Sequence, residues 1–252
     1  MALPSSVILV CAGADVGRAA ASGHPLLDLC LGVTPRGALN RLHQNAADGC
    51  YVGLRDFPAN TPQVNPALFI KDLLYVLRGV HASGLFADLE SSTAACRVLC
   101  AALDDALHEQ GIPFFVPAAR APDTKHAILT VETAVSGGSL AEMIEGLQQR
   151  HGADRIAALL RPVSADFSLP SASPDGMTLT PEAREALRER THAQVFFSKE
   201  LCAKYFTYMD EETRGHFVLF DDESTLEEKA TLLTRLGVHR LFALWPDVRH
   251  IL

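Results

Sequence analysis

The sequence has no apolar run that approaches the roughly 18 residues of a membrane span. Acidic residues outnumber basic ones by 30 to 22, which gives a formal net charge of −8. This balance argues against a nucleic acid or an anionic membrane surface as the main partner. A P-loop, an H-E-x-x-H motif and a G-x-S-x-G motif are missing, and Val10–Gly17 lacks the full pattern of a dinucleotide-binding turn. We therefore expect no cofactor and no metal.

The six cysteines show neither a disulfide framework nor a metal-binding spacing. None of them forms C-x-x-C, and no Cys/His cluster has the spacing of a zinc site. Most are predicted to be small buried hydrophobic residues, which is typical of a reducing compartment. The N-terminal run Ser6–Gly13 is apolar but short and follows no basic residue. A first strand is therefore favoured over a signal peptide.

The order of elements predicts a fold of alternating strands and helices. Apolar strand-like runs alternate with amphipathic helices, and about eight strands can be counted. Such alternation is typical of a parallel sheet with helical crossovers. We predict an α/β fold that consists of one (β/α)8 barrel domain over residues 1–252. A small β-hairpin is predicted near residues 193–222, inserted before the last helix and strand.

Local signals set the boundaries of several elements. Asn65-Pro66 predicts the start of a helix and Gly79 its end. Two S-x-x-E sequences, Ser139–Glu142 and Ser224–Glu227, are typical of capping boxes. The remaining local predictions are hairpin strands at Lys204–Met209 and His216–Phe220, a long loop at Ser164–Met177 and a helix around Gly37–Ala47.

The stretch 83–90, with the sequence S-G-L-F-A-D-L-E, is the first candidate for chemistry. In a strand its side chains alternate between two faces, so Asp88 and Glu90 point the same way, about 6–7 Å apart. Two charges at the end of a buried strand are costly unless something uses or pairs them. In an α/β barrel this is the end that carries chemistry. The alternative is that both residues begin a loop and cap the next helix.

Other short segments follow that stretch in a definite order. They are G-I-P-F-F-V-P (111–117), I-L-T-V-E-T-A-V-S-G-G (128–138), F-S-L-P (167–170), Y-F-T-Y-M-D-E (205–211) and a last strand that ends in Trp245. In these segments the chain resembles glycoside hydrolase family 18, and most of all its spore-germination and cortical-fragment-lytic branch. That family carries D-G-x-D-x-D-x-E on its fourth barrel strand. The resemblance covers about two thirds of the chain and implies a barrel.

The resemblance also implies a reaction, the substrate-assisted hydrolysis of glycans that contain N-acetylglucosamine, such as peptidoglycan, spore cortex or chitin. Glu90 would protonate the glycosidic oxygen, and Asp88 would orient the acetamido group. Trp245, the only tryptophan, would form the floor under the sugar, or it is an ordinary core residue. Glu132 stands beside the position of an active-site tyrosine and is either a third carboxylate of the site or an exposed loop residue.

The sequence departs from the family at three positions. Ser83 and Phe86 replace motif aspartates, and Val131 falls where the family has the tyrosine that hydrogen-bonds the acetamido group. Losing one such donor typically costs a factor of about 10²–10³ in rate. The hydroxyls that could replace it belong to Tyr51, Tyr205 and Tyr208.

Two functions from different classes therefore remain. The chain is either a hydrolase of N-acetylated oligosaccharides or a catalytically degenerate barrel that binds a glycan or a protein partner. The presence of the acid Glu90 and its neighbour Asp88 favours the hydrolase. The three departures from the family motif favour the binding module. Both a cytoplasmic and a spore-associated location remain open.

Overall fold

The computed structural model describes residues 3–43, 47–58, 63–170 and 176–252. Its strands are β1 (Ile8–Cys11), β2 (Leu26–Val33), β3 (Leu39–Arg41), β4 (Tyr51–Leu54), β5 (Gly84–Ala87), β6 (Phe114–Pro117), β7 (Ile128–Glu132), β8 (Ile156–Leu160), β9 (Ser164–Leu169), β10 (Met177–Thr178), β11 (Phe196–Ser198), β12 (Ala203–Met209), β13 (Gly215–Phe220) and β14 (Leu241–Leu244). Its α-helices are α1 (Asp15–Ala20), α2 (Pro66–Gly79), α3 (Ala94–Glu109), α4 (Leu140–His151), α5 (Pro181–Thr191), α6 (Glu223–Arg235) and α7 (Trp245–Val248). Short 3₁₀ helices cover Ala118–Asp123 and Ala153–Arg155.

Eight parallel strands close into a barrel, which confirms the predicted (β/α)8 fold. The strands lie in the order β1-β14-β8-β7-β6-β5-β4-β2, and β1 also pairs with β2 to close the ring. Strand β5, the fourth of the eight along the chain, ends at Ala87, so the predicted acidic pair lies in the loop directly after it and not in the strand itself. Among the described residues, no helix is long and apolar enough to cross a membrane.

Alternating side chains divide the core into an inner and an outer layer. In β5, Leu85 and Ala87 lie in the layer between barrel and helices, whereas Phe86 lies inside the barrel. The ring of Phe86 meets that of Phe242 edge-on at 5.3 Å, and Phe115 meets Phe242 at 5.1 Å. The barrel is therefore packed with aromatic rings and is closed below its carboxyl end.

The helix boundaries follow the capping chemistry, with one correction. The side chain of Asn65 accepts a hydrogen bond from Leu68 N, as predicted. The side chain of Ser139 accepts one from Glu142 N, which is the N-cap half of the predicted capping box. The predicted box at Ser224–Glu227 is wrong. The box begins two residues earlier, because Asp222 accepts from Thr225 N at 3.2 Å and donates its own N–H to Thr225 Oγ1 at 2.9 Å.

A second, five-stranded antiparallel sheet is inserted between β8 and α6. The predicted hairpin is confirmed as β12 and β13, but the sheet also contains β9, β10 and β11. The prediction of a loop over Ser164–Met177 is therefore wrong over its first six residues, since β9 pairs with β13 from Ser164 to Leu169. Helix α5 covers one face of this sheet through Leu187, against Phe206 and Val218.

The prediction of a helix around Gly37–Ala47 is also wrong over its described part. Residues Leu39–Arg41 instead form β3, antiparallel to β2, and residues 44–46 lie outside the described residues. Gly37 makes the reversal possible, because its φ of +77° is one that side-chain-bearing residues rarely adopt. A Cβ there would also lie 2.1 Å from Gln63 O.

All six cysteines are buried and unpaired, as the composition predicted. Burial raises the pKa of the Cys11 and Cys30 thiols to about 12 in each case. They therefore pack as small neutral hydrophobic groups.

Candidate active site

Acidic side chains gather at the carboxyl ends of the barrel strands. Asp88 and Glu90 follow β5, Glu132 ends β7, and Asp56 comes two residues after β4. Arg161 follows β8 directly. Because parallel strands bring their carboxyl ends to one side of a barrel, these residues form a common acidic mouth.

The electrostatics of Asp88 show that these groups act on one another. Partial desolvation raises the pKa of Asp88, and the negative charges of Glu90, Asp56 and Glu132 raise it further. Arg161 is the opposing positive charge. The Asp88 carboxyl is open to solvent on one side, so water screens part of this effect. The result is a carboxyl group that holds its proton to a higher pH than an isolated aspartate does.

Phe86 supplies the apolar base of the site. It precedes Asp88 by two residues, is 6% exposed and belongs to the aromatic interior of the barrel. An apolar ring thus stands where the family motif has an aspartate. Asp88 therefore has no carboxyl partner at this position.

The loop that carries Glu90 is fixed from both sides. Asp56 Oδ2 accepts the N–H of Ser91 at 2.8 Å, and Arg120 Nη1 donates to Ser91 O at 3.3 Å. These contacts join loops that follow three different barrel strands. Neither Asp56 nor Arg120 was predicted from the sequence, in which the only signal is that Asp56 is a charged residue near the end of an apolar run.

Strand β7 brings Glu132 to the mouth but turns Val131 away from it. Glu132 is exposed, whereas Val131 is 7% exposed and packs in the layer between barrel and helices. The side chain of Val131 therefore does not occupy the place of an acetamido-binding tyrosine. The inward-facing neighbour is Thr130, whose buried Oγ1 has no hydrogen-bond partner among the described residues.

Two of the predicted substrate-binding residues have rings that pack in the core. Tyr51 begins β4, at the end of the barrel opposite the mouth, and its ring packs against Phe115 and Phe242 at 5.8 and 6.2 Å. The prediction for Tyr51 is therefore corrected, because strand alternation directs its ring into the barrel interior far from the mouth. Trp245 directly follows β14, at the carboxyl end of the barrel, but it is 9% exposed and packs in the outer apolar layer. Its contact with a sugar stays a prediction.

Tyr205 lies on the inserted sheet, in a row of aromatic rings. Its ring lies 5.6 Å from that of Phe196 and 5.2 Å from that of Phe217, which in turn lies 6.5 Å from Phe167. This face of the sheet packs against Val135, in the loop after β7. Tyr208 lies on the opposite face and donates its hydroxyl to Asp166 Oδ2 at 2.7 Å. Tyr205 is therefore the tyrosine that faces the barrel loops.

Comparison with known proteins gives a likeness in structure alone, since no family model and no curated protein matches the chain. A chitinase from Chromobacterium violaceum superposes with a TM-score of 0.65 at 17% identity, over 95% of this chain and 93% of that one. The Bacillus cereus spore cortex-lytic enzyme SleL gives 0.62 at 13%, over 96% and 71%. Human YKL-39, described as a pseudo-chitinase with retained chitooligosaccharide binding, gives 0.59 at 9%, over 94% and 91%. The chain has the fold of the family 18 chitinases and cortex-lytic enzymes, and the predicted resemblance is confirmed at that level.

Proposed function

We propose that this protein is a chitinase-like glycoside hydrolase that cleaves glycans containing N-acetylglucosamine. The observation that carries the proposal is the pair Asp88 and Glu90 in the loop directly after the fourth barrel strand, where the charge of Glu90 helps to raise the pKa of Asp88. This pair stands on the fold shared by chitinases and a spore cortex-lytic enzyme. Peptidoglycan or spore cortex and chitin-like oligosaccharides are the substrates that fit this chemistry.

In the proposed reaction Glu90 is the general acid. Its proton passes to the glycosidic oxygen while the acetamido carbonyl oxygen of the substrate forms a bond to the anomeric carbon. The bond from that carbon to the glycosidic oxygen breaks, and its electron pair stays on the leaving oxygen, which carries the proton from Glu90. Water then adds to the anomeric carbon, the bond to the acetamido oxygen breaks, and the Glu90 carboxylate accepts the proton of the water.

Asp88 orients the acetamido group in this scheme. Its raised pKa follows from desolvation and from the neighbouring carboxylates. A carboxyl that keeps its proton donates a hydrogen bond, and the same group stabilises positive charge once it ionises. Asp56 and Arg120 hold the peptide that follows Glu90, so the acid keeps its position relative to Asp88.

The test is release of a reporter group from N-acetylglucosamine oligosaccharides. Wild-type protein should be active, and Glu90→Gln should lose at least about 100-fold of the rate, the typical contribution of a positioned acid. Glu109→Gln, on the exposed C-terminal turn of α3, is the matched control and should retain full activity. Undiminished activity of Glu90→Gln would rule out this mechanism.

A second candidate function is a glycan-binding module without turnover. It is favoured by Phe86 beneath Asp88 and by the outward direction of Val131. Saturable binding of chitooligosaccharides without hydrolysis by the wild-type protein would establish this function in place of the hydrolase.

A further inference from the structure

A cluster of histidine and aspartate side chains lies at the opposite end of the barrel from the acidic mouth. Asp104 and Asp105 are in the C-terminal half of α3, and His126 is in the segment that enters β7. A helix that follows one parallel strand ends near the beginning of the next, so this region is at the amino end of the barrel. The cluster is therefore independent of the proposed active site.

The geometry of the cluster is that of a metal-binding group. One ligand atom each from Asp104, Asp105 and His126 lies within 4.8 Å of the other two. Atoms bound to one zinc ion at about 2 Å are themselves about 3–4 Å apart, so small side-chain rotations suffice to bring them into contact with the ion.

Asp104 is held in place before any ion binds. It is 2% exposed, and its Oδ2 accepts backbone N–H groups from Lys125 at 2.6 Å and His126 at 3.0 Å. A carboxylate has about four lone-pair sites, so acceptor capacity remains after these contacts. The contacts also fix the distance between α3 and the backbone that carries the His126 imidazole.

A second imidazole lies directly beside the cluster. The rings of His108 and His126 stack at 3.7 Å between centroids, with 5° between their planes. A cavity of about 240 Å³ is lined by both rings and by Asp104 and Arg240.

We propose that Asp104, Asp105 and His126 form a Zn²⁺ site, with His108 beside it and water completing the coordination. One imidazole with two carboxylates suits zinc better than the all-oxygen shells of Mg²⁺ or Ca²⁺. The exposed ammonium of Lys125 lies 3.8 Å from Asp105 and can turn into solvent. Arg240, which also lines the cavity, donates to Asp154 O at 3.1 Å. Bound zinc would link the C-terminal half of α3 to the start of β7.

The experiment is calorimetric titration of chelator-treated protein with ZnCl₂. Wild type should bind one ion per chain with a saturable isotherm. His126→Asn and Asp105→Asn remove exposed ligands and should each weaken binding by about 10-fold or more. Thermal melts without metal should match the wild type, which separates loss of a ligand from loss of the fold.

His81→Asn is the matched control. His81 is an exposed imidazole that pairs with one carboxylate, Asp48, at 2.7 Å, and asparagine accepts its φ of 44°. This variant should bind zinc as the wild type does. The proposal is overturned if the wild type shows no saturable binding, if both ligand variants bind as tightly as the wild type, or if Mg²⁺ binds equally well.

Discussion

At the scale of single residues, Phe86 gives the mouth of the barrel its distinctive chemistry. An aspartate at this position could share a proton with Asp88, whereas the buried ring of Phe86 offers no hydrogen bond. Asp88 is left among like charges, with Arg161 opposing them. A carboxyl placed in this way costs folding free energy, which is expected of functional groups and not of ordinary surface residues.

This cost predicts that Asp88→Asn stabilises the protein at neutral pH. The folded-state pKa of Asp88 is raised, so the folded state binds its proton more tightly than the unfolded state does. Wild-type Asp88 does not destabilise the protein at a pH below its pKa in the unfolded state. The destabilisation grows as the pH rises from that value and is complete above the pKa in the folded state. Because solvent screens the exposed carboxyl, we expect a gain of only about 0.5 kcal/mol or less. Denaturant unfolding of the wild type and the variant at pH 3.5 and pH 7 measures the gain in unfolding free energy. An equal gain at both pH values would show that it does not come from the ionisation of Asp88.

Asp56 predicts a different outcome because it acts on the backbone and not on substrate. Asp56→Ala removes the acceptor for the Ser91 N–H and releases the loop that carries Glu90. If the protein hydrolyses glycans as proposed, kcat should fall by about 10-fold or more with a smaller change in KM, since loss of position acts on the reacting geometry. Asp56→Asn keeps one acceptor oxygen and should recover part of the rate. A change in KM with an unchanged kcat would contradict the positioning role.

At the scale of elements, the inserted sheet is joined to the barrel through a buried ion pair. Lys229 Nζ, on α6, donates to Asp221 Oδ2 at 2.6 Å, and the same oxygen accepts the N–H of Val163 at 2.8 Å. Both side chains of the pair are fully buried. Asp221 directly follows β13, and Val163 immediately precedes β9. The contacts of Asp221 therefore fix both connections between the inserted sheet and the barrel.

We expect Lys229→Met to destabilise the protein by about 3–5 kcal/mol, the usual result of leaving one member of a buried ion pair without its partner. Urea unfolding followed by circular dichroism gives the value. The double variant Lys229→Met with Asp221→Asn removes both charges and should recover a large part of the loss. A loss below about 1 kcal/mol in the single variant would show that the carboxylate is hydrated or paired otherwise.

Features of the inserted sheet that depend on distant residues could not be predicted from the sequence. Apolar periodicity predicted the barrel strands and most helix ends, because those depend on neighbours three or four residues away. The burial of Asp221, by contrast, depends on Lys229, which lies on the following helix. Strand β9 was missed because its pairing partner, β13, lies about fifty residues away. Contacts across such distances leave no periodic signal in the sequence.

At the scale of the whole molecule, the acidic pair could be predicted from the sequence, but the surroundings of the pair could not. The apolar run of β5 placed Asp88 and Glu90 at the carboxyl end of a buried strand, but the strand ends at Ala87 and the pair lies in the following loop. The directions of Trp245 and Tyr51 depended on which end of a strand and which layer each ring occupies. Those are properties of the closed barrel, and a resemblance between short motifs does not determine them.

The arrangement of barrel and insertion leads to the last prediction, on ligand binding. The aromatic row around Tyr205 faces the loop after β7, so an oligosaccharide seated at the mouth should also contact this row. Chitotetraose should slow amide hydrogen exchange both in the segment 88–93 after β5 and in β12. Cellotetraose, which lacks the acetamido groups, is the control and should protect neither segment. Protection of β12 alone would place the glycan outside the acidic mouth and would favour the binding module over the hydrolase.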